Sequence, residues 1–341
     1  MRKPVIVIGG VIFALIVLTL FGNFVWNRIH EPSKAYDAEV FIEIPPGTSA
    51  QEIGRQLVAQ GVLQDEFAFR AALWWSGRSH ALQAGEYQFT EPLSAVAVIE
   101  RLARGDIYTR SITFPEGLTI TEMSAIYESH GFGSAKDFVE ATRDVSVIMK
   151  LDQQATNLEG YLFPETYMLP NDTVASVLVT MMVSRFQVVY EEELDSSTSE
   201  DQKLSIRELV TLAGLIEKET AHDDERQLVS GVYMNRLRIG MPMQADPTLI
   251  YALQQAGQYD GNIRKVHFSF DSPYNTYKYP GLPPGPIASP GRAAIAAALN
   301  PADVPYLYFV SRNDGTHVFS RTLAEHNRSV RRYQRPYSRK Q

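Results

Sequence analysis

The sequence predicts an α+β protein: a single N-terminal transmembrane helix, a small mixed lobe, and a larger mixed α+β domain. Three observations predict it. Val5 to Trp26 is a run of 22 residues without an ionisable side chain. A strand, turn and helix pattern then occurs twice at a constant offset of 70 residues. From Asp106 onward, stretches of helical periodicity are interspersed with a few short alternating strands. At 341 residues and 45% hydrophobic content the chain can bury a full core.

The apolar run comes first. At 1.5 Å per residue it spans about 33 Å, enough to cross a bilayer core. No small-residue cleavage pattern follows it, since Phe21 to Trp26 reads FGNFVW, so the helix is expected to stay as an anchor. Arg2 and Lys3 precede it, and the positive-inside rule places them in the cytoplasm and everything after about residue 30 outside. Arg28 and Lys34 on the far side weaken that asymmetry. In a bacterial inner membrane the outside is the periplasm, where cell-wall polymers are the substrates at hand. The expected segments are a cytoplasmic end (1–4), the membrane helix (5–26) and a polar linker (27–38).

The small lobe, 39–105, opens with the first repeat copy. Ile42-Glu43-Ile44-Pro45 matches Ile112-Thr113-Phe114-Pro115, and Gly47, Glu52 and Gly61 match Gly117, Glu122 and Gly131. Each copy reads as a strand ended by proline, a glycine turn, a helix capped by Ser49 or by Thr119 or Thr121, and a closing glycine. The lobe continues with a helix over 66–75, a strand over 82–89 and a helix over 95–104. Through GTSAQEIGRQL (47–57) it resembles a LysM-like peptidoglycan-binding module. Trp74 and Trp75 are either sugar-stacking faces or half core and half interface.

In the larger domain, 106–335, helices are expected near 121–130, 172–192, 204–220, 225–238, 247–256, 290–299 and 322–334, and strands near 108–114, 305–311 and 316–320. Asn313-Asp314-Gly315 is a hairpin turn between the last two strands. The segment 269–290 holds too many prolines and tyrosines for a regular element and reads as an ordered functional loop. A short tail, 336–341, completes the basic C-terminus, which reads as a solvated end.

Within TLAGLIEKET (211–220), Glu217 and Glu219 end an uncharged run, Leu209 to Ile216. A helix puts Val210, Ala213, Gly214 and Glu217 on one face, small enough in two places to form a cleft wall. A carboxyl against such a wall loses solvation, its pKa rises, and it becomes a general acid of the kind glycosidic bonds require. The plainer reading is a helix-end glutamate paired with Lys218 or Arg226. Glu219 faces roughly 200° away and reads as a structural anchor. A net charge of −7 excludes a general nucleic-acid binder, and zero cysteines exclude disulfides and thiolate metal sites. His222, Asp223, Asp224, Glu225, His317 and His326 raise a metal-dependent hydrolase, but no HExxH or other metal spacing is present, and no metal or cofactor is expected.

Taken together, NLEGYLFPETY (157–167), LIEKET (215–220), ERQLVSGVYMNRLRIGMPMQADPTLIY (225–251), SPYNTYKYPGLPPGPIASPG (272–291) and THVFSRTLAEHN (316–327) resemble the YceG-like family of endolytic murein transglycosylases. The resemblance covers almost the whole chain. It implies that Glu217 is the catalytic acid, with peptidoglycan strands as substrate and a peptidoglycan synthase as partner. Such a lyase needs one carboxylate, because the 6-hydroxyl of the muramic acid closes onto C1 to leave a 1,6-anhydro end. Asn235 and Gln244, in the matching motif, are amides suited to sugar hydroxyls, and Asn275, Thr276 and Tyr277 are expected to line the glycan groove. Glu219, Asp246 and Thr248 take supporting roles, Asp246 also reading as a helix cap before Pro247. Asn157, Glu159, Tyr161 and Glu165 read as braces. A wall-binding anchor without catalysis is the competing class.

Overall fold

The computed structural model of the protein describes residues 3–33, 39–78, 80–197 and 204–334, with side chains from Ile8 onward. The tail 336–341, the extreme N-terminus and the second half of the expected linker lie outside the described residues. The chain forms two units, Met1–Ser111 with Met168–Asp172, and Ile112–Tyr167 with Thr173–Gln341.

In the first unit, α1 (Lys3–His30) contains the one described helix long and apolar enough to cross a membrane. It is followed by β1 (Val40–Ile44), α2 (Ala50–Ala59), α3 (Glu66–Ser76), β2 (Gly85–Phe89) and α4 (Ala95–Arg104). β1 and β2 pair antiparallel, from Val40↔Phe89 to Ile44↔Gly85. Their inward residues Ile42, Ile44, Tyr87 and Phe89 meet Leu57, Phe69, Val98 and Leu102 from the helices. Each such fully buried side chain contributes roughly 1.5–3 kcal/mol. The expected linker is corrected at its start. The helix runs through His30, Ile29 is 1% exposed within the lobe core, and the Ser33 N–H donates to the Leu93 carbonyl. Arg28, which marks the end of the apolar run, is held by Asp65, the cap of α3.

The chain then enters β3 (Arg110–Thr113), which pairs with β4 (Thr166–Leu169). The second unit carries α5 (Ile120–Ser129), α6 (Ala135–Ala141), α7 (Ala175–Asp195), α8 (Ile206–Glu219), α9 (Asp223–Arg238), α10 (Asp246–Gln255), α11 (Arg292–Leu299), the hairpin β5 (Tyr308–Ser311) and β6 (His317–Ser320), and α12 (Leu323–Tyr333). α6 and β4 were not anticipated, being too short for periodicity to show. Both repeat copies form. Ser49 caps α2 and Thr119 caps α5 with Glu122 in a full capping box, while Gly47 and Gly117 turn at φ 83° and 77°.

α8 is the axis of this unit. Leu209 to Ile216 are buried in unbroken succession, as a helix apolar on all sides must be, against α9, α10 and α11. The cleft wall expected at Gly214 is corrected: a Cβ there would meet the Ala288 carbonyl at 3.1 Å. The small residues admit the protein's own proline-rich loop, which also places Pro286 against Gly160. The expected braces tie other parts of the unit together. Glu159 accepts from the Ile120 N–H and the Tyr251 hydroxyl, Tyr161 donates to Asp152, and Glu165 receives a bidentate pair from Arg185.

Candidate functional site

The last turn of α8 puts its two glutamates on opposite sides, as the 200° offset requires. Glu217 turns toward the loops. Its Oε2 accepts from the Gly291 N–H at 2.9 Å, and Oε1 lies 3.6 Å from the buried Arg226 guanidinium. Lys218 donates to the Gly117 carbonyl beside it, and the Gly117 N–H donates to the Ser289 carbonyl. The Glu116 carboxylate lies over Gly291, in the space a Cβ there would occupy. Burial raises the Glu217 pKa and neighbouring Glu116 adds to it, while the Gly291 N–H and Arg226 oppose. Glu217 is not part of the groove on the other side of this turn.

Glu219 turns the other way, onto a groove of about 350 Å³ walled by Tyr233, Arg236, Gln244, Asp246, Tyr277, Tyr308 and His317 among others. The Tyr233 hydroxyl donates to its Oε1 at 2.8 Å. Burial raises the Glu219 pKa first, the hydrogen bond from Tyr233 opposes, and the Asp246 charge raises it further. A raised pKa is therefore common to both glutamates, and what each faces separates them: Glu219 lines this groove and Glu217 does not. A larger cavity of about 840 Å³ lies elsewhere in the unit, lined by Arg207, Asn235, Arg238 and Asp303. Its glutamate, Glu208, is committed to the Ser205 capping box at the start of α8.

The groove is assembled from the end of α8, α9, the start of α10, the proline-rich loop, the last hairpin and α12. Arg236 donates through Nε to the Leu307 carbonyl and through a terminal nitrogen to the Met243 carbonyl, fixing the approach to α10 against the approach to β5. Its guanidinium stacks over Tyr308 at 5.5 Å. Gln244 follows with φ 49°, a left-handed backbone uncommon outside glycine, and its side chain is exposed in the groove. Tyr277 reaches from the proline-rich loop to donate to Asp246 at 2.6 Å. On the far rim His317 is set by Glu225, which accepts both its backbone N–H at 2.8 Å and its ring Nδ1 at 2.7 Å. Burial works to raise the Glu225 pKa, but these bonds to His317 bring it below the ordinary value.

Gln244, Asp246 and Tyr277 thus meet in one groove, and Glu219 with them. Other expected contacts do not. Asn275 is 0% exposed, its amide donating to the Phe268 and Phe270 carbonyls and accepting from the Tyr277 N–H. Thr276 is likewise buried, accepting from the Ala245 N–H and sharing a 2.8 Å bond with buried Thr248. Asn275 folds the loop on itself, and Thr276 with Thr248 ties it to the start of α10, all three buried away from the groove surface. Asn235 spends its amide on the Val304 and Tyr306 carbonyls and faces the other cavity. Asp246 is no cap: Ala245 occupies that position without a side-chain bond, and Asp246 is the first helical residue with Pro247 behind it. Tyr233, Arg236, Tyr308 and His317 escaped the sequence reading as groove residues. Tyr233 and Arg236, three apart on α9, were the available signal, a tyrosine and an arginine on one helix face. Among the described residues no group of three or more His, Asp and Glu is placed to hold a metal ion.

The profile of the YceG-like family matches residues 42–332, most of both units and every segment of this groove. The chain belongs to the YceG-like family. A relative from Bacillus subtilis (strain 168), an endolytic murein transglycosylase, is 34% identical over 331 residues, covering 92% of this chain and 89% of the relative. An endolytic murein transglycosylase of Streptococcus pneumoniae is 29% identical, and this chain spans 64% of its length. The crystal structure of a YceG-like protein from Listeria monocytogenes matches with TM-score 0.57 at 30% identity, over 86% of this chain and all of the other.

Proposed function

We propose that this YceG-like chain is an endolytic murein transglycosylase, anchored by α1 and using Glu219 as the single acid and base. The supporting observation is the groove: a carboxyl with raised pKa opens onto a polar and aromatic wall suited to saccharide rings and hydroxyls. The relatives' names supply the substrate class, the glycan strand of peptidoglycan. Glu217, the sequence expectation, takes the part of a structural anchor in this reading, its Oε2 accepting from the Gly291 N–H and its Oε1 ion-paired with Arg226 at 3.6 Å.

In the reaction Glu219, protonated, gives its proton to the glycosidic oxygen between MurNAc and GlcNAc as the C1–O bond breaks. The resulting carboxylate takes the proton of the MurNAc 6-hydroxyl as that oxygen bonds to C1, closing the 1,6-anhydro ring and regenerating the acid. Holding nucleophile and electrophile within one sugar supplies the effective molarity that a second carboxylate would otherwise provide. Tyr233 steadies the ionised half of the cycle by donating to the carboxylate. Asp246 supplies a second carboxylate on the groove, which supports one alternative, a hydrolase with Asp246 activating water.

With α1 in the inner membrane and the remainder in the periplasm, the groove belongs to a chain tied to the membrane where new strands emerge. Internal cuts there terminate elongation beside a peptidoglycan synthase. The LysM-like lobe contributes wall affinity. Mass analysis of strands digested by the full chain tests the chemistry: anhydro-ended fragments, lost in Glu219→Gln, are expected. Reducing ends that incorporate oxygen from labelled water, and vanish in Asp246→Asn, would replace the lyase with the hydrolase.

A further inference from the structure

α3 shows an aromatic face that the lobe core does not use. Phe67, Trp74 and Trp75 are 46%, 83% and 55% exposed, whereas Ala68, Phe69 and Ala72 fill the core. Two of those rings touch the end of the membrane helix. Phe67 lies 6.4 Å from Phe24, and Trp75 meets Trp26 edge-on at 5.4 Å.

The spacing of these contacts fixes how the helices cross. Phe24 and Trp26 are two residues apart, about 3 Å along α1 and on nearly opposite sides of it. Phe67 and Trp75 are eight residues apart, about 12 Å along α3. A long step on α3 matched to a short step on α1 means that α3 lies across α1. The crossing is held by Ile29 in the lobe core and by the Arg28–Asp65 ion pair, so no flexible joint separates them. A helix transverse to a membrane-spanning helix, at the level where its apolar surface ends, lies in the plane of the bilayer surface. Arg70, exposed between Phe67 and Trp74, supplies a cation for lipid phosphates, and tryptophans favour this layer because the ring is apolar and the indole N–H polar.

We propose that α3 lies in the phospholipid headgroup layer with Phe67, Trp74 and Trp75 inserted, so that the small lobe is fixed on the membrane surface rather than swinging on a tether. This rests on the reading of α1 as a membrane anchor. The three tryptophans of the chain, Trp26, Trp74 and Trp75, are the probes. The full-length protein is placed in vesicles of phosphatidylethanolamine and phosphatidylglycerol carrying bromine near the glycerol end of the acyl chain. Trp26→Phe/Trp75→Phe leaves Trp74 as the reporter, and Trp74→Phe/Trp75→Phe leaves Trp26. Both reporters are expected to emit at blue-shifted wavelength and to lose about twofold of their emission to the brominated lipid. Quenching of Trp26 with Trp74 untouched overturns the proposal and leaves the anchor standing. Quenching of neither overturns the anchor, and the proposal with it. A Trp74 signal that responds to soluble glycan strands but not to brominated lipid assigns the face to sugar and also overturns it.

Discussion

The two sides of the last turn of α8 carry the same residue and differ in what surrounds it. On the Glu217 side every polar atom near the carboxylate is protein: the Gly291 N–H, Arg226, the Lys218 bond to Gly117 and the crossing of Ser289. On the Glu219 side one tyrosine hydroxyl donates to the carboxylate, and Asp246, His317 and Arg236 stand around it on the groove wall. Both sides raise a carboxyl pKa by burial, so desolvation alone does not mark a catalytic acid. An acid must also face its substrate, and in the proposed reading the glutamate that accepts from the Gly291 N–H beside a buried guanidinium serves the fold.

The comparison breaks most visibly in turnover. Glu219→Gln keeps the shape and loses the proton, and glycan cleavage is expected to fall about 1,000-fold with an unchanged melting transition. Glu217→Ala should do the reverse. It leaves the Gly291 N–H without its acceptor and Arg226 with Asp223 as its remaining ion-pair partner, and denaturant unfolding is expected to show a loss of about 2 kcal/mol, with residual activity scaling to folded protein.

A pH titration of stability sharpens the same point away from the groove. Glu159 is 5% exposed, and burial lifts its pKa from 4.5 to about 7 against its bonds from Ile120 and Tyr251. A raised folded value means that the native state holds this proton more tightly. Its stabilising effect is full below the ordinary value and is lost as pH rises through about 7. Unfolding followed from acid to mildly alkaline pH should show a decline on the order of 2 kcal/mol that Glu159→Gln abolishes.

Smaller effects probe the groove wall. Tyr233→Phe removes the bond that favours the Glu219 carboxylate, so its pKa rises and the alkaline limb of the rate profile moves to higher pH. An unmoved limb would detach Tyr233 from the acid. Gln244→Gly relaxes a left-handed backbone and should stabilise the fold by about 1 kcal/mol while raising KM for glycan strands.

Much of this architecture was legible because its signals are local. The duplicated proline, glycine and cap pattern wrote both strand–turn–helix units, and the uncharged run ending in two glutamates put both candidate acids on one helical turn. The choice between the glutamates was not local. What covers Gly214 and Glu217 comes from the loop over 287–291, and what opens beside Glu219 comes from α9, the start of α10, Tyr277 and the last hairpin. Residue type also misled at Asn275 and Thr276, whose polar side chains suit a sugar but are buried against backbone groups and Thr248 instead. The end of α1 was hidden for a related reason. Arg28 ends the apolar run in sequence, while Ile29 beyond it belongs to a core that only the lobe reveals.

The central claim is tested most directly by measuring the release of anhydro-ended glycan from purified strands by Glu219→Gln and Glu217→Gln side by side, each first shown to melt like the parent. The account predicts that Glu219→Gln releases none above background while Glu217→Gln, which keeps an acceptor for Gly291, retains activity within about tenfold of the parent. A folded Glu217→Gln that is inactive, beside an active Glu219→Gln, would contradict it.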